Sequence, residues 1–150
     1  MSQPLHPGAA ACFARQGMMT HFGAHMTAAA DGHCVVEVDW GEHLTQQSGF
    51  FHGGVVAGIA DAACGHAAIT AAPDGADVVS VEFKLNLLTA ADGSRLRASA
   101  NVLRQGRTLS IVSARVEILR DGGWIHCAEM LATMFVKPGK APVAADGAQG

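Results

Sequence analysis

Residues 49–68, GFFHGGVVAGIADAACGHAA, form an apolar run of small side chains that opens with two glycines behind a histidine and carries one acidic group, Asp61. From Gly53 to about Ala71 the chain is long enough and rich enough in alanine for a substantial helix, about 27 Å for some 18 residues. Pro73-Asp74-Gly75 ends it with turn chemistry. Ala57, Gly58, Ala60, Ala62, Ala63, Gly65, Ala67 and Ala68 make a slim rod, which suits a helix pressed closely from both sides or a plain buried helix. Gly58 costs about 1 kcal/mol of helix propensity, so close approach by another backbone is a reason to keep it.

Working outward, Ala24, Met26 and Ala28 alternate ahead of Asp31-Gly32, and Cys34, Val36, Val38 and Trp40 alternate behind it, with Glu37 and Asp39 on the other phase. This is a hairpin pattern, and GEHLTQQSG (41–49) follows as a loop. Beyond the helix, Val79, Val81, Phe83, Leu85 and Leu87 alternate with Ser80, Glu82, Lys84 and Asn86, and Leu96, Ala98, Ala100 and Val102 with Arg97, Ser99 and Asn101. Residues 108–119 and 124–136 continue the pattern across Asp121-Gly122-Gly123, a tight turn. Short links predict antiparallel neighbours. Residues 9–19 favour a short helix whose last turn Gly17 weakens, and 138–150 read as a disordered tail. The expected fold is α+β: a single domain over 1–137, with a twisted antiparallel sheet of about six strands wrapped around one long helix.

Composition narrows the classes of function. With 49% hydrophobic and 15% charged residues, the chain is apolar for a soluble monomer, which predicts a homo-oligomer. A net charge of −3 and scattered Lys and Arg argue against nucleic acid as a partner. Cys12, Cys34, Cys64 and Cys127 form no C-x-x-C, which predicts free thiols in a reducing cytoplasm. The N-terminal residues lack the charged start and apolar core of a signal sequence, and polar residues interrupt every long apolar run, so no membrane partner is expected.

Gly53 and Gly54 stand where loop becomes helix. The first N–H groups of a helix lack internal partners and carry partial positive charge, so they favour an oxygen bearing negative charge. Two residues without side chains let a carbonyl, such as a thioester's, approach those donors as it becomes an oxyanion; a flexible helix start is the alternative. Asp61 needs a partner, water or a proton in this apolar setting. It can act as general base or nucleophile, or simply face solvent. Eight residues of helix place it about 12 Å from Gly53, whereas attack brings reacting atoms to about 3 Å. If both serve one reaction, Gly53 of one subunit meets Asp61 of another across a two-fold axis.

HGGVVAGIADAACGHAA, VSVEFKLNLL and VLRQGRTL together resemble the hotdog-fold thioesterases of the phenylacetate-degradation (PaaI-like) and 4-hydroxybenzoyl-CoA types, over roughly residues 20–137. The H-G-G-x6-D pattern ahead of a strand and an R-x-G-R hairpin carries the likeness. The resemblance implies hydrolysis of an acyl-CoA thioester of an aromatic or short-to-medium acyl group, and homodimers assembled into homotetramers. It makes Asp61 the catalytic carboxylate, the Gly53 amide the carbonyl-polarising donor, His52 the motif histidine, Gln46 a holder of water or thioester, and Ser80 the residue that orients water. Another branch has a hydroxyl residue one turn after its carboxylate, where this chain has Gly65. Gly54 and the hairpin of Arg104, Gly106 and Arg107 are then candidates for binding substrate, the arginines gripping CoA phosphates; solvated arginines are the alternative.

No metal or redox cofactor is expected, coenzyme A entering only as part of the substrate. His21 and His25, four apart in an extended segment, would lie about 13 Å from each other, too far to share a metal. A hotdog dehydratase or hydratase would need a histidine beside the carboxylate, and His66 would point about 140° away from Asp61 around the helix. A non-catalytic acyl-binding protein would keep the cleft without needing Asp61.

Overall fold

The structure is a computed structural model and describes residues 4–139. Its elements run α1 (Pro7–Phe13), α2 (Gly17–Phe22), β1 (His25–Ala30), β2 (His33–Asp39), a 3-10 turn at Glu42–Leu44, α3 (Gly53–Ala71), β3 (Asp77–Leu87), β4 (Arg95–Gln105), β5 (Leu109–Arg120) and β6 (Gly123–Lys137). The six strands form one antiparallel sheet in the order β1-β2-β4-β5-β6-β3, with α3 packed against it. This is the hotdog arrangement. Of the tail expected to be disordered, Pro138 and Gly139 are described as irregular chain, and 140–150 lie outside the described residues.

Helix α3 is apolar on most of its circumference because it is covered on most sides. Val56, Ile59, Ala60, Ala63, Cys64, Ala67 and Ala68 are all buried. Its last turn is tied to the sheet, since the Gly32 N–H donates to Thr70 Oγ1 at 2.8 Å. The helix is long and apolar enough to cross a membrane by length and composition, yet more than half of it is buried within the fold. Gly58 is indeed crowded, but by side chains: a Cβ there would lie 2.9 Å from Met18 Cε and 3.1 Å from Phe22 Cε2, both on α2.

Two hairpin turns follow from Asp-Gly pairs. Asp31 and Gly32 have φ of 51° and 78°, and Asp121 and Gly122 have 50° and 78°, the positive pair that a two-residue turn matched to strand twist requires. The expected helix at 9–19 is instead two helices, broken at residues 14–16, where the Arg15 and Gln16 N–H groups turn back to the Cys12 and Phe13 carbonyls. Gly17 begins the second helix rather than weakening the end of one.

The short link between β3 and β4 does not make them neighbours, since β3 crosses to the sheet edge and pairs with β6; bulges account for further differences. A bulge between Met26 and Ala28 shifts the phase of β1, so that Ala29, paired with Cys34, is the buried residue and Ala28 is not. Trp40 leaves the apolar face altogether: it is 47% exposed, and its Nε1 donates to the Gly49 carbonyl. In β3 a bulge at Val81 separates the pairs Ser80–Met134 and Glu82–Thr133. Residues directly opposite share a face, so Val78 and Ser80 join Phe83, Leu85 and Leu87 on the helix side while Val79 turns outward. The alternation expected for Val79 through Leu87 is therefore broken, and Ser80 is not on the phase of Glu82 and Lys84.

His66 lies in the core, 1% exposed, with the Phe13 ring edge-on at 5.4 Å. Burial lowers its pKa below 6.5, against smaller opposing effects of its hydrogen bond to Ala62 and of the nearby Asp61 charge. Below about pH 6.5 the unfolded chain therefore takes up a proton at this position that the folded chain resists, so the contribution of His66 to stability is full above that pH and is lost as the pH falls through it. Denaturant titrations between pH 5 and 8 are expected to show a shallower acid loss for His66→Gln than for wild type. Ala63 is fully buried on the sheet-covered side of α3; Ala63→Leu is expected to lower unfolding free energy by about 1–3 kcal/mol through overpacking, read from the urea midpoint.

Candidate active site

The start of α3 is built around its cap. His52 has extended backbone, and its Nδ1 accepts from the Gly54 N–H at 2.8 Å. The Val55 and Val56 N–H groups donate to the His52 carbonyl. Of the first four N–H groups of the helix, only that of Gly53 has no acceptor among the described residues. A Cβ on Gly54 would lie 3.0 Å from His52 Nδ1, so the glycine keeps room for the capping ring. Gly53 and Gln46 both line a cavity of about 380 Å³ together with Phe50, Phe51, Leu87 and Cys127. The side chain of Gln46 accepts from the Ser48 N–H, which holds the loop before the helix in a turn.

Two turns along α3, Asp61 is half-buried and faces β3. Ser80 Oγ donates to Asp61 Oδ1 at 2.6 Å and also lies 3.4 Å from Met134 Sδ. A hydroxyl bonded to a carboxylate and open to a cleft can hold a water in line for proton removal. The bulge at Val81 makes this contact possible by turning Ser80 toward the helix. Asp61 and Ser80 line a second, smaller cavity of about 100 Å³, which does not include Gly53. Within one chain, then, the Asp61–Ser80 pair and the free amide stand in separate cavities, as the helix spacing requires.

The hairpin between β4 and β5 lies toward the carboxylate end. Ser80, Met134, Ser110 and Gln105 form one cross-strand row, about 14 Å wide at the usual strand spacing. Arg104 and Arg107 beyond it are exposed and have no ion-pair or hydrogen-bond partner among the described residues. Gly106 closes the turn by donating to the Leu109 carbonyl at 2.8 Å, and a Cβ there would lie 2.7 Å from that oxygen.

His66 and Asp61, expected about 140° apart around the helix, both line the smaller cavity. Helical side chains lean toward the N-terminus, and that of His66 bends back over Ala62, where Nδ1 meets the carbonyl oxygen at 2.6 Å. Angles counted from Cα positions miss that lean. Cys64, one turn from Asp61, is no nucleophile, because burial pushes its thiol up to about 12. Cys34 is likewise pushed up to about 12 and Cys127 to about 11, and all four cysteines are free. His21 is helical rather than extended and packs on His43 with ring centroids 5.8 Å apart. Among the described residues no three metal-ligating side chains come together.

Known proteins share this fold. A family model described as the thioesterase superfamily matches residues 48–124, just over half of the chain. A thioesterase family protein from Silicibacter pomeroyi is 37% identical, with a TM-score of 0.85 over 87% of this chain and 96% of that one. The PaaI protein of the E. coli phenylacetic acid degradation operon superposes with a TM-score of 0.77 over 87% of this chain and 91% of that one, at 18% identity, a likeness of fold. A candidate esterase of Saccharolobus solfataricus is 35% identical over 81 residues, which span 54% of this chain and 57% of the relative's length. By the family match and the Silicibacter likeness, carried on the same strands and helix that hold Asp61, Ser80 and Gly53, this chain belongs to the thioesterase superfamily.

Proposed function

We propose that the chain is an acyl-CoA thioesterase that works as a homodimer, with Asp61 of one subunit and the partner subunit's Gly53 at each of two sites. The observation that carries this reading is the Asp61–Ser80 hydrogen bond of 2.6 Å, a held carboxylate that lines a cavity. The free Gly53 N–H supports the second half of the site. Val81, Phe83, Leu87 and Leu88 are 44–59% exposed along β3, an edge strand with a free side, which supports a second copy docking there. Leu131 is also 52% exposed on the outer face of the sheet and supports a further contact that makes a tetramer.

In the general-base course, Asp61 takes a proton from water oriented by Ser80. The hydroxide oxygen bonds the thioester carbon, and the carbonyl oxygen gains charge against the Gly53 N–H. The C–S bond then breaks, and the thiolate leaves with the proton held by Asp61. In the nucleophilic course Asp61 itself bonds the carbon, expelling the thiolate, and water hydrolyses the mixed anhydride. Label from ¹⁸O water found in the Asp61 carboxylate after a single turnover would select the second course, since only there can water open an anhydride at the Asp61 carboxyl carbon. His52 holds the amide in place by capping, and Gln46 faces the thioester from the loop. Gly54 admits the substrate beside the cap, and Arg104, Gly106 and Arg107 form the phosphate end of the site. The chemistry calls for no metal or redox cofactor. Free buried thiols support a cytoplasmic setting, and an aromatic or short-to-medium acyl group would fit the reading.

Hydration of an enoyl thioester is the second reading, favoured by His66 and Asp61 sharing a cavity; disappearance of enoyl-CoA without thiol release would select it. A non-catalytic acyl-binding protein would release no thiol at all. Thiol release from an acyl-CoA panel is expected to fall roughly 10²–10⁴-fold in Asp61→Asn and about tenfold in Ser80→Ala, while unchanged rates in Asp61→Asn would reject the mechanism. Gly53→Pro removes the N–H at a helix position that accepts proline, and a loss of roughly 10²–10³-fold is expected. Random mixing of Gly53→Pro with Asp61→Asn chains is expected to restore about a quarter of wild-type activity, through the one intact site of each hybrid dimer. No restoration would show that both groups serve within one chain.

A further inference from the structure

The cavity of Asp61 and Ser80 is also lined by His66, which carries a buried polar atom that the hydrolytic chemistry leaves unused. His66 Nδ1 lies 2.6 Å from the Ala62 carbonyl oxygen. A carbonyl oxygen only accepts, so Nδ1 carries the proton and Nε2 presents a lone pair. Nε2 is buried and has no hydrogen-bond partner among the described residues. The ring is neutral, because burial lowers its pKa, and the Phe13 edge packed on it offers no N–H or O–H. An acceptor buried without a donor is destabilising, and a residue that only filled space would be better replaced by an apolar one.

The rest of the cavity indicates what could supply the donor. Met18, Met19, Ile69 and Val78 give it apolar side chains beside the polar Gln16, Asp61, His66 and Ser80, with Cys12 on α1. Its volume of about 100 Å³ is below the roughly 150 Å³ in which a benzene ring is held, so a short aliphatic group suits it better than an aryl ring. Asp61 and His66 line one cavity, so an acyl group whose carbonyl meets Asp61 extends beside the imidazole.

We propose that His66 determines specificity: Nε2 accepts a hydrogen bond from a hydroxyl on a short aliphatic acyl group, as in a 3-hydroxybutyryl thioester. This rests on the acyl-CoA reading above and names the acyl class within it. Binding decides it separately from turnover. In the Asp61→Asn chain, which keeps the thioester intact, calorimetry is expected to show 3-hydroxybutyryl-CoA binding about tenfold more tightly than butyryl-CoA. Adding His66→Leu is expected to abolish that preference with a thermal midpoint equal to or above its parent's, and His66→Gln, which keeps an acceptor, is expected to retain part of it.

Equal affinities in the Asp61→Asn chain, no binding of either thioester, or a preference that survives His66→Leu would overturn the proposal. If His66→Leu does not fold, the two affinities in the Asp61→Asn chain and the His66→Gln result decide. Turnover by wild type keeps the two readings apart: His66-dependent preference in binding without any thiol release rejects hydrolysis and leaves this assignment standing. Hydrolysis of both thioesters with equal kcat/KM does the reverse.

Discussion

The hydrogen bond from Ser80 to Asp61 is the contact on which the site depends. A carboxylate placed in an alanine- and glycine-rich helix has few ways to be tolerated: it needs water, a cation or a donor within reach. No Lys or Arg lines its cavity. A hydroxyl supplied by the neighbouring strand meets the need without neutralising the charge, and so leaves the carboxylate able to take a proton. The helix brings no donor of its own, since Ala57 and Gly65, one turn either side of Asp61, have no polar side chain.

The contact depends in turn on the extra residue at Val81. Without the bulge, Ser80 would share the outer face with Glu82 and Lys84, and the helix-facing row would be apolar from end to end. Bulges bend a strand and re-aim its side chains, and four strands of this sheet, β1, β3, β4 and β6, carry one. The one at Leu103 turns Gln105 inward and leaves Arg104 outside, which shapes the arginine hairpin. The same sheet that buries the helix therefore also sets which polar groups reach it.

At the other end of α3 the arrangement rests on division of labour among backbone amides. His52 occupies one with its ring and two with its carbonyl, so a single donor is left at Gly53. A lone donor beside a cavity has directional value that a frayed helix end lacks. The rigid spacing of 1.5 Å per residue separates this donor from Asp61, and the apolar free edge at β3 offers the surface through which a second copy would bring the missing half.

Much of this was legible in residue order. Asp31-Gly32 and Asp121-Gly122 specify their turns through local backbone conformation, and the run from Gly53 to Ala71 specifies its helix through composition and the stop at Pro73. The H-G-G-x6-D pattern marks Gly53 and Asp61, because their separation is set by helix geometry alone. Local sequence did not reveal the phase of β3, the break between the two N-terminal helices, the outward turn of Trp40 or the placement of His66 beside Asp61. Three of these depend on contacts outside the local pattern: Met134 and Thr133 across the bulge, Gly49 for the indole, Phe13 beside the imidazole. Residue order determines what a segment can do by itself, whereas a bulge or a leaning side chain is chosen by the surface packed against it, and only the folded chain supplies that surface.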